Sequence, residues 1–161
     1  MDNLDIIERV IQLANNNVAE GGRPFSCIIT RGDEIIAERA NQVAQTNDPT
    51  AHAETLAIQD ACKKLGTEHL TDCEIYILAS PCPMCLGAMY YCSPQKVTYI
   101  TTREEYKTYY RDDRKYFELE NFYDEFSKST DARRLPMTQV DHSERLAPYK
   151  LWNEKHGTNK A

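Results

Sequence analysis

No apolar run in the sequence approaches the ~20 residues that a bilayer-spanning helix needs, so none of its helices is expected to cross a membrane. The first residues, Met1-Asp2-Asn3-Leu4-Asp5, lack the basic and apolar blocks of a signal peptide. Six cysteines spread over 161 residues do not form a dense disulfide scaffold. Together these absences predict a reducing, cytoplasmic setting. A basic excess is missing too. Lys plus Arg number 19 against 25 Asp plus Glu, a formal net charge of −6. Such a balance argues against general binding to phosphate backbones. Arg111, Arg114 and Lys115, then Arg133 and Arg134, are the basic clusters, and both adjoin acidic residues. There is no internal repeat and no low-complexity segment. What remains is ordinary for one globular domain over 1–161, with 41% apolar and 27% charged residues.

The informative stretch comes in two pieces. Thr50-Ala51-His52-Ala53-Glu54 is followed by Pro81-Cys82-Pro83-Met84-Cys85, with Cys82 28 residues after Glu54. His52, Cys82 and Cys85 form a donor set for one zinc ion per chain. Three protein ligands leave the fourth tetrahedral position for water, the mark of a catalytic rather than a structural site. Two cysteines three apart on a first helical turn can aim both sulfurs at one ion. A helix N-terminus favours the thiolates. Pro83 suits that turn, where its missing N–H has no partner anyway. Glu54 is not a ligand. With one residue between it and His52, it is placed to take a proton from the water and return it to substrate. The plainer reading of Cys-x-x-Cys alone is a redox pair or zinc knuckle. His-x-Glu upstream and proline before each cysteine favour the catalytic reading.

Apolar spacing predicts a helix over 5–17, ended by Gly21-Gly22. Phe25 to Thr30 and Glu34 to Arg39 read as a hairpin turning at Arg31-Gly32-Asp33. A polar loop, 41–50, leads to the His52 helix, which stops at Gly66. Cys73 to Ala79 is a strand that ends where the cysteines begin, so the chemistry sits beyond a strand's C-terminal end. The cysteine helix runs to about Tyr91. Val97 to Thr101 follows by crossover and should lie parallel to the preceding strand. A short helix from Arg103, another near 117–126, a fifth strand at Met137 to Val140 and a last helix over 143–155 complete the reading. His69, His142 and His156 lack ligand spacing. Cys27, Cys62, Cys73 and Cys92 read as small core residues.

His-x-Glu then Pro-Cys-x-x-Cys is the pattern of zinc deaminases. With Asn47-Asp48-Pro49-Thr50, Ala61-Cys62-Lys63-Lys64-Leu65-Gly66, Leu86-Gly87-Ala88, Asp112-Asp113 and Leu146-Ala147-Pro148-Tyr149, the chain resembles the cytidine-deaminase-like superfamily. Within it, the bacterial guanine deaminases are most similar. The resemblance implies a three-layer α/β/α fold with a central five-stranded mixed sheet. It also implies one zinc, a homodimer, and a C-terminal segment of about 143–161 exchanged between subunits to close the site. Three departures stand out. Gly22-Arg23-Pro24-Phe25-Ser26-Cys27 replaces Gly-Gly-Pro-Phe-Gly-Ala, Ser80 stands where relatives carry Glu, and Tyr110-Arg111 replaces Gly-Phe.

The candidate substrate contacts each have a plainer reading. Asn41 reads a base edge or is a turn residue. Phe25 stacks on a base or is core. Asp113 accepts a ring N–H or is a solvated charge. Tyr91 and Trp152 wall the pocket or pack in the core. The backbone near Ala53 and Cys82 is a candidate to hold the tetrahedral intermediate. The expected reaction is hydrolytic deamination of a purine base, guanine to xanthine and ammonia. Rival readings are another amino-heterocycle or nucleoside (guanosine, cytosine, isocytosine, a triazine, a pterin), tRNA adenosine, or a non-catalytic zinc-stabilised binding module. The expected partner is a small nucleobase, not nucleic acid.

Overall fold

The computed structural model describes residues 3–112, 114–115 and 119–157, with only the backbone described at 119–121. The chain divides into two compact units, residues 1–114 and 115–161. In the first, the order is α1 (Asn3–Ala19), β1 (Ser26–Arg31), β2 (Glu34–Ala40), α2 (Val43–Thr46), α3 (Ala53–Leu65), β3 (Glu74–Ala79), α4 (Pro83–Cys92), β4 (Lys96–Thr101) and α5 (Arg103–Tyr106).

The sheet has the order β2-β1-β3-β4. β1 pairs antiparallel with β2 and with β3, while β3 pairs parallel with β4, Ile77 opposite Tyr99. This parallel pair is the predicted crossover. Alternation along the strands sends side chains to two cores. Cys27, Ile29, Ile75 and Ile77 face α3 and α4. Ile28 and Tyr76 face Ile6 and Val10 of α1. Helices therefore cover both faces of the sheet. On α3 the contact stripe is Ala53, Ala57 and Ala61, all fully buried. Three methyl groups at i, i+4 and i+8 let the helix lie close against the strands.

Two termini were legible in advance. Gly66 ends α3 at φ 66°, its N–H bonded to the Cys62 carbonyl; glycine takes this left-handed conformation at little cost. Pro83 opens α4, with Cys82 as its N-cap.

The sheet corrects one expectation: among the described residues it has four strands, not five. Met137 to Val140 forms no strand. Leu135, Met137 and Val140 are all exposed, so no alternation of buried and open positions exists for a ladder to use. Pro136 also removes one backbone donor. The 41–50 segment, read as loop, carries the single turn α2.

The second unit contains α6 (Leu119–Ser127), a short 3-10 turn (Thr130–Ala132) and α7 (Ala147–His156). Phe122 and Phe126 meet edge to face at 4.7 Å. Arg134 reaches back to Glu125, its backbone N–H at 2.6 Å and Nε at 3.2 Å.

Candidate metal centre and adjoining cavity

His52 is the N-cap residue of α3 and Cys82 that of α4, so two helix starts meet at one point. The loop before α3 is tied down locally. Asp48 accepts from the Thr50 N–H and hydroxyl, at 2.8 and 2.7 Å. The Gln42 N–H bonds the Ala51 carbonyl at 3.0 Å, joining the exit of β2 to the residue before His52. On the other side, the Cys85 N–H donates to Cys82 Sγ at 3.4 Å.

These elements bring the three predicted donors together. His52 Nδ1 lies 3.6 Å from Cys82 Sγ and 3.5 Å from Cys85 Sγ. A tetrahedral zinc with Zn–S of ~2.3 Å and Zn–N of ~2.0 Å sets nitrogen and sulfur ~3.5 Å apart. The donor set therefore fits zinc in type and in spacing. Among the described residues this is the cluster of His, Cys and acidic side chains able to hold a metal. His52 Nε2 is buried and has no hydrogen-bond partner there.

The charges are arranged for metal uptake. A hydrogen bond from Cys85, then one from His52, holds the Cys82 thiol down at about 4, against the opposing effect of burial. The hydrogen bond to Cys82, and burial, push Cys85 well up. Without metal, the pair shares one proton. Burial alone would lower His52, but the hydrogen bond and charge of Cys82 outweigh it, and the net shift is upward. Glu54 is 7% exposed. Burial raises its carboxyl above the usual range, although its own backbone N–H partly offsets this.

Glu54, His52 and Cys82 open onto one small pocket beside the donor cluster. Phe25 and Asn41, both named from sequence, line it. The Asn41 Oδ1 accepts from the Val43 N–H at 3.0 Å. That bond fixes the amide orientation and leaves the NH2 group, a donor only, without a partner among the described residues. Arg23 and Ser80, singled out in the sequence as departures from the family pattern, line the pocket too, while Tyr106, Tyr110, Asp112 and Arg114 complete the wall and had not been assigned to substrate. Phe25 stands edge to face against Tyr106 (5.8 Å, 74°) and Tyr110 (5.1 Å, 81°). Burial, then the charge of Asp112, raises both tyrosine hydroxyls, so they stay neutral. Arg114 pairs with Asp112 at 3.6 Å.

Other expected contacts fall elsewhere. Asp113 lies outside the described residues. Ala53 is fully buried in the α3 stripe. Tyr91 is 89% exposed and does not line this cavity. Met89 and Cys92 turn inward on α4, and the ~100° step per residue carries Tyr90 and Tyr91 outward. Trp152 lies in α7 of the second unit, stacked on His156 at 3.7 Å.

Comparison with known proteins agrees with this geometry. Residues 2–101 match the model for the cytidine and deoxycytidylate deaminase zinc-binding region. The guanine deaminase of Bacillus subtilis (strain 168) is 39% identical over 153 residues, covering 94% of each chain. A crystal structure of guanine deaminase from Bacillus subtilis superposes with a TM-score of 0.85 at 38% identity, over 100% of this chain and 98% of that one. The tRNA-specific adenosine deaminase of Aquifex aeolicus (strain VF5) is 42% identical over 80 residues, 50% of this chain and 53% of its own.

Proposed function

Since the chain belongs to the family of the cytidine and deoxycytidylate deaminase zinc-binding region, we propose that it hydrolyses the exocyclic amine of guanine, giving xanthine and ammonia. The observation that carries this reading is a shared cavity. A carboxyl with a raised pKa, two members of the three-donor cluster, an aromatic wall and the Asn41 amide all face one pocket.

When bound, zinc would supply a Lewis acid at the three-donor cluster, making water nucleophilic near neutral pH. His52, Cys82 and Cys85 would hold it. Glu54 then takes a proton from the attacking water, passes it to a ring nitrogen, and assists the departing amine. Water adds at the carbon bearing the amine, the C–N bond breaks, and ammonia leaves with the transferred protons. Phe25, Tyr106 and Tyr110 stack and enclose the ring, keeping bulk water from the reacting carbon. The Asn41 NH2 donates to a carbonyl oxygen or ring nitrogen at the substrate edge. Asp113 is offered as a further substrate contact, and residues 1–161 as one deaminase domain.

A homodimer is part of this reading. Tyr90, Tyr91 and Tyr99 are exposed beside an apolar groove between α4 and β4. On α7, Tyr149, Leu151 and Trp152 are exposed. These surfaces support a second copy, with exchange of the 143–161 segment. Sedimentation equilibrium tests the dimer.

Arg23 and Ser80 line the cavity at positions that differ from the relatives, which favours one second reading: another amino-heterocycle as substrate. Zinc-loaded protein incubated with guanine, guanosine, cytosine, isocytosine, an aminotriazine and pterin, with ammonia as readout, decides between them. Guanine should rank first. Stoichiometric zinc without ammonia from any of them would overturn the enzyme reading.

A further inference from the structure

Asn17 is the polar member of the buried stripe of α1, which otherwise consists of Ile6, Val10 and Ala14. It is 4% exposed. Its amide is well used. Nδ2 donates to the Arg23 carbonyl at 2.7 Å and to the Asn41 carbonyl at 2.8 Å. Oδ1 accepts from Gln45 Nε2 at 3.0 Å. The Asn17 carbonyl takes the Gly22 N–H at 2.7 Å.

Those two carbonyls belong to the approach to β1 and the exit from β2. The same two segments are tied once more, by the Asn41 N–H to the Phe25 carbonyl at 2.9 Å. Arg23, Phe25 and Asn41 are the residues there whose side chains line the cavity. Asn17 does not line it. A single amide on one helix thus clamps both segments that carry the base-binding wall.

Gly22 gives an independent view of the same clamp. A Cβ at Gly22 would fall 2.3 Å from Gln45 Nε2 and 2.5 Å from both amide atoms of Asn17. Glycine is required at 22 to leave room for the Asn17–Gln45 hydrogen bond. Its conformation is not the constraint, because its φ lies outside the left-handed region.

We propose that Asn17 is a positioning residue, which fixes the Phe25 and Asn41 walls for substrate without touching it. The idea rests on the deaminase reading for its kinetic test, so a second readout is independent of substrate. In Asn17→Ala, the Arg23 and Asn41 carbonyls each lose their shortest donor and keep only the Phe25 N–H (2.9 Å) and Gln42 Nε2 (3.3 Å), so the link between the two wall segments through α1 is cut. Glu54 and the residues that would hold zinc belong to the starts of α3 and α4, not to the clamped segments.

The test uses the full, zinc-loaded chain with the variants Asn17→Ala and Gly22→Ala. With guanine, KM should rise about tenfold or more while kcat stays within about threefold and zinc content is unchanged. Hydrogen exchange should show loss of protection at the Asn41 amide, with the Ile75–Ile77 amides unaffected. Should Asn17→Ala fail to fold, Gly22→Ala carries the same two measurements. Unchanged KM and unchanged Asn41 protection in a folded variant would overturn the proposal, whatever the melting temperature does. If wild type releases no ammonia from guanine, the substrate reading falls, and the exchange measurement alone decides the role of Asn17.

Discussion

Replacing Glu54 by glutamine separates chemistry from architecture. The two side chains have nearly the same shape, so the cavity and the α3 stripe should be untouched. A positioned acid or base is worth ~10²–10⁴ in rate per transfer. Glu54 is assigned two transfers, but one group serves both, and losses within such a unit do not multiply. The expected fall in kcat/KM for Glu54→Gln is therefore about 10²–10⁴-fold, or ~3–5 kcal/mol of barrier. Stability should move the other way. Burial raises the folded-state pKa of Glu54 above its unfolded value. The stabilising contribution of that raised pKa is present below the unfolded pKa and is lost as pH rises through the folded one. Glutamine never ionises, so metal-free Glu54→Gln should melt at or above wild type at about pH 8. Steady-state ammonia release on zinc-loaded protein gives the first number, and thermal denaturation of the metal-free form the second. A variant retaining activity within about tenfold of wild type, with zinc bound, would refute the proton-carrier assignment.

Zinc uptake at about pH 7 should release at least about one proton per ion, since Cys82 is held low while Cys85 is pushed well up, and the upward shift of His52 acts in the same direction; calorimetry in two buffers of different ionisation heat counts them, and a count of zero contradicts the donor set. Phe25→Leu should raise the KM for guanine about 5- to 150-fold, because a stacked base is worth ~1–3 kcal/mol; an unchanged KM would return Phe25 to the core. Leu70, with no exposed surface, should cost about 2–5 kcal/mol when cut to alanine, read by urea denaturation, with KM unaltered in the folded protein.

The parts of the site legible in sequence are those fixed by short-range rules. Cys82 and Cys85 share one helical turn, and His52 and Glu54 straddle another helix start, so local geometry already aims them. The aromatic wall was not legible. Tyr106 ends a one-turn helix and Tyr110 follows in a loop, where no period tells an inward ring from an outward one. Tyr91 failed for a related reason: three consecutive bulky residues, Met89, Tyr90 and Tyr91, leave the phase of α4 ambiguous until its neighbours are known. Asn17 carried a signal that went unread. It continues the spacing of Ile6, Val10 and Ala14, and a lone amide in an apolar stripe needs buried partners. Met137-Thr138-Gln139-Val140 is too short a stretch to distinguish a ladder from an exposed loop.

The alanine face of α3 has a consequence for anyone reshaping this enzyme. Ala53, Ala57 and Ala61 set the height at which the helix rides over the strands, and His52 and Glu54 sit at its leading end. A larger side chain at Ala57 would lift the helix like a wedge under a beam. The imidazole and carboxylate would then swing off target, though neither residue had been altered. Redesign for a new substrate can vary the cavity wall freely while leaving that small-residue bearing as it is.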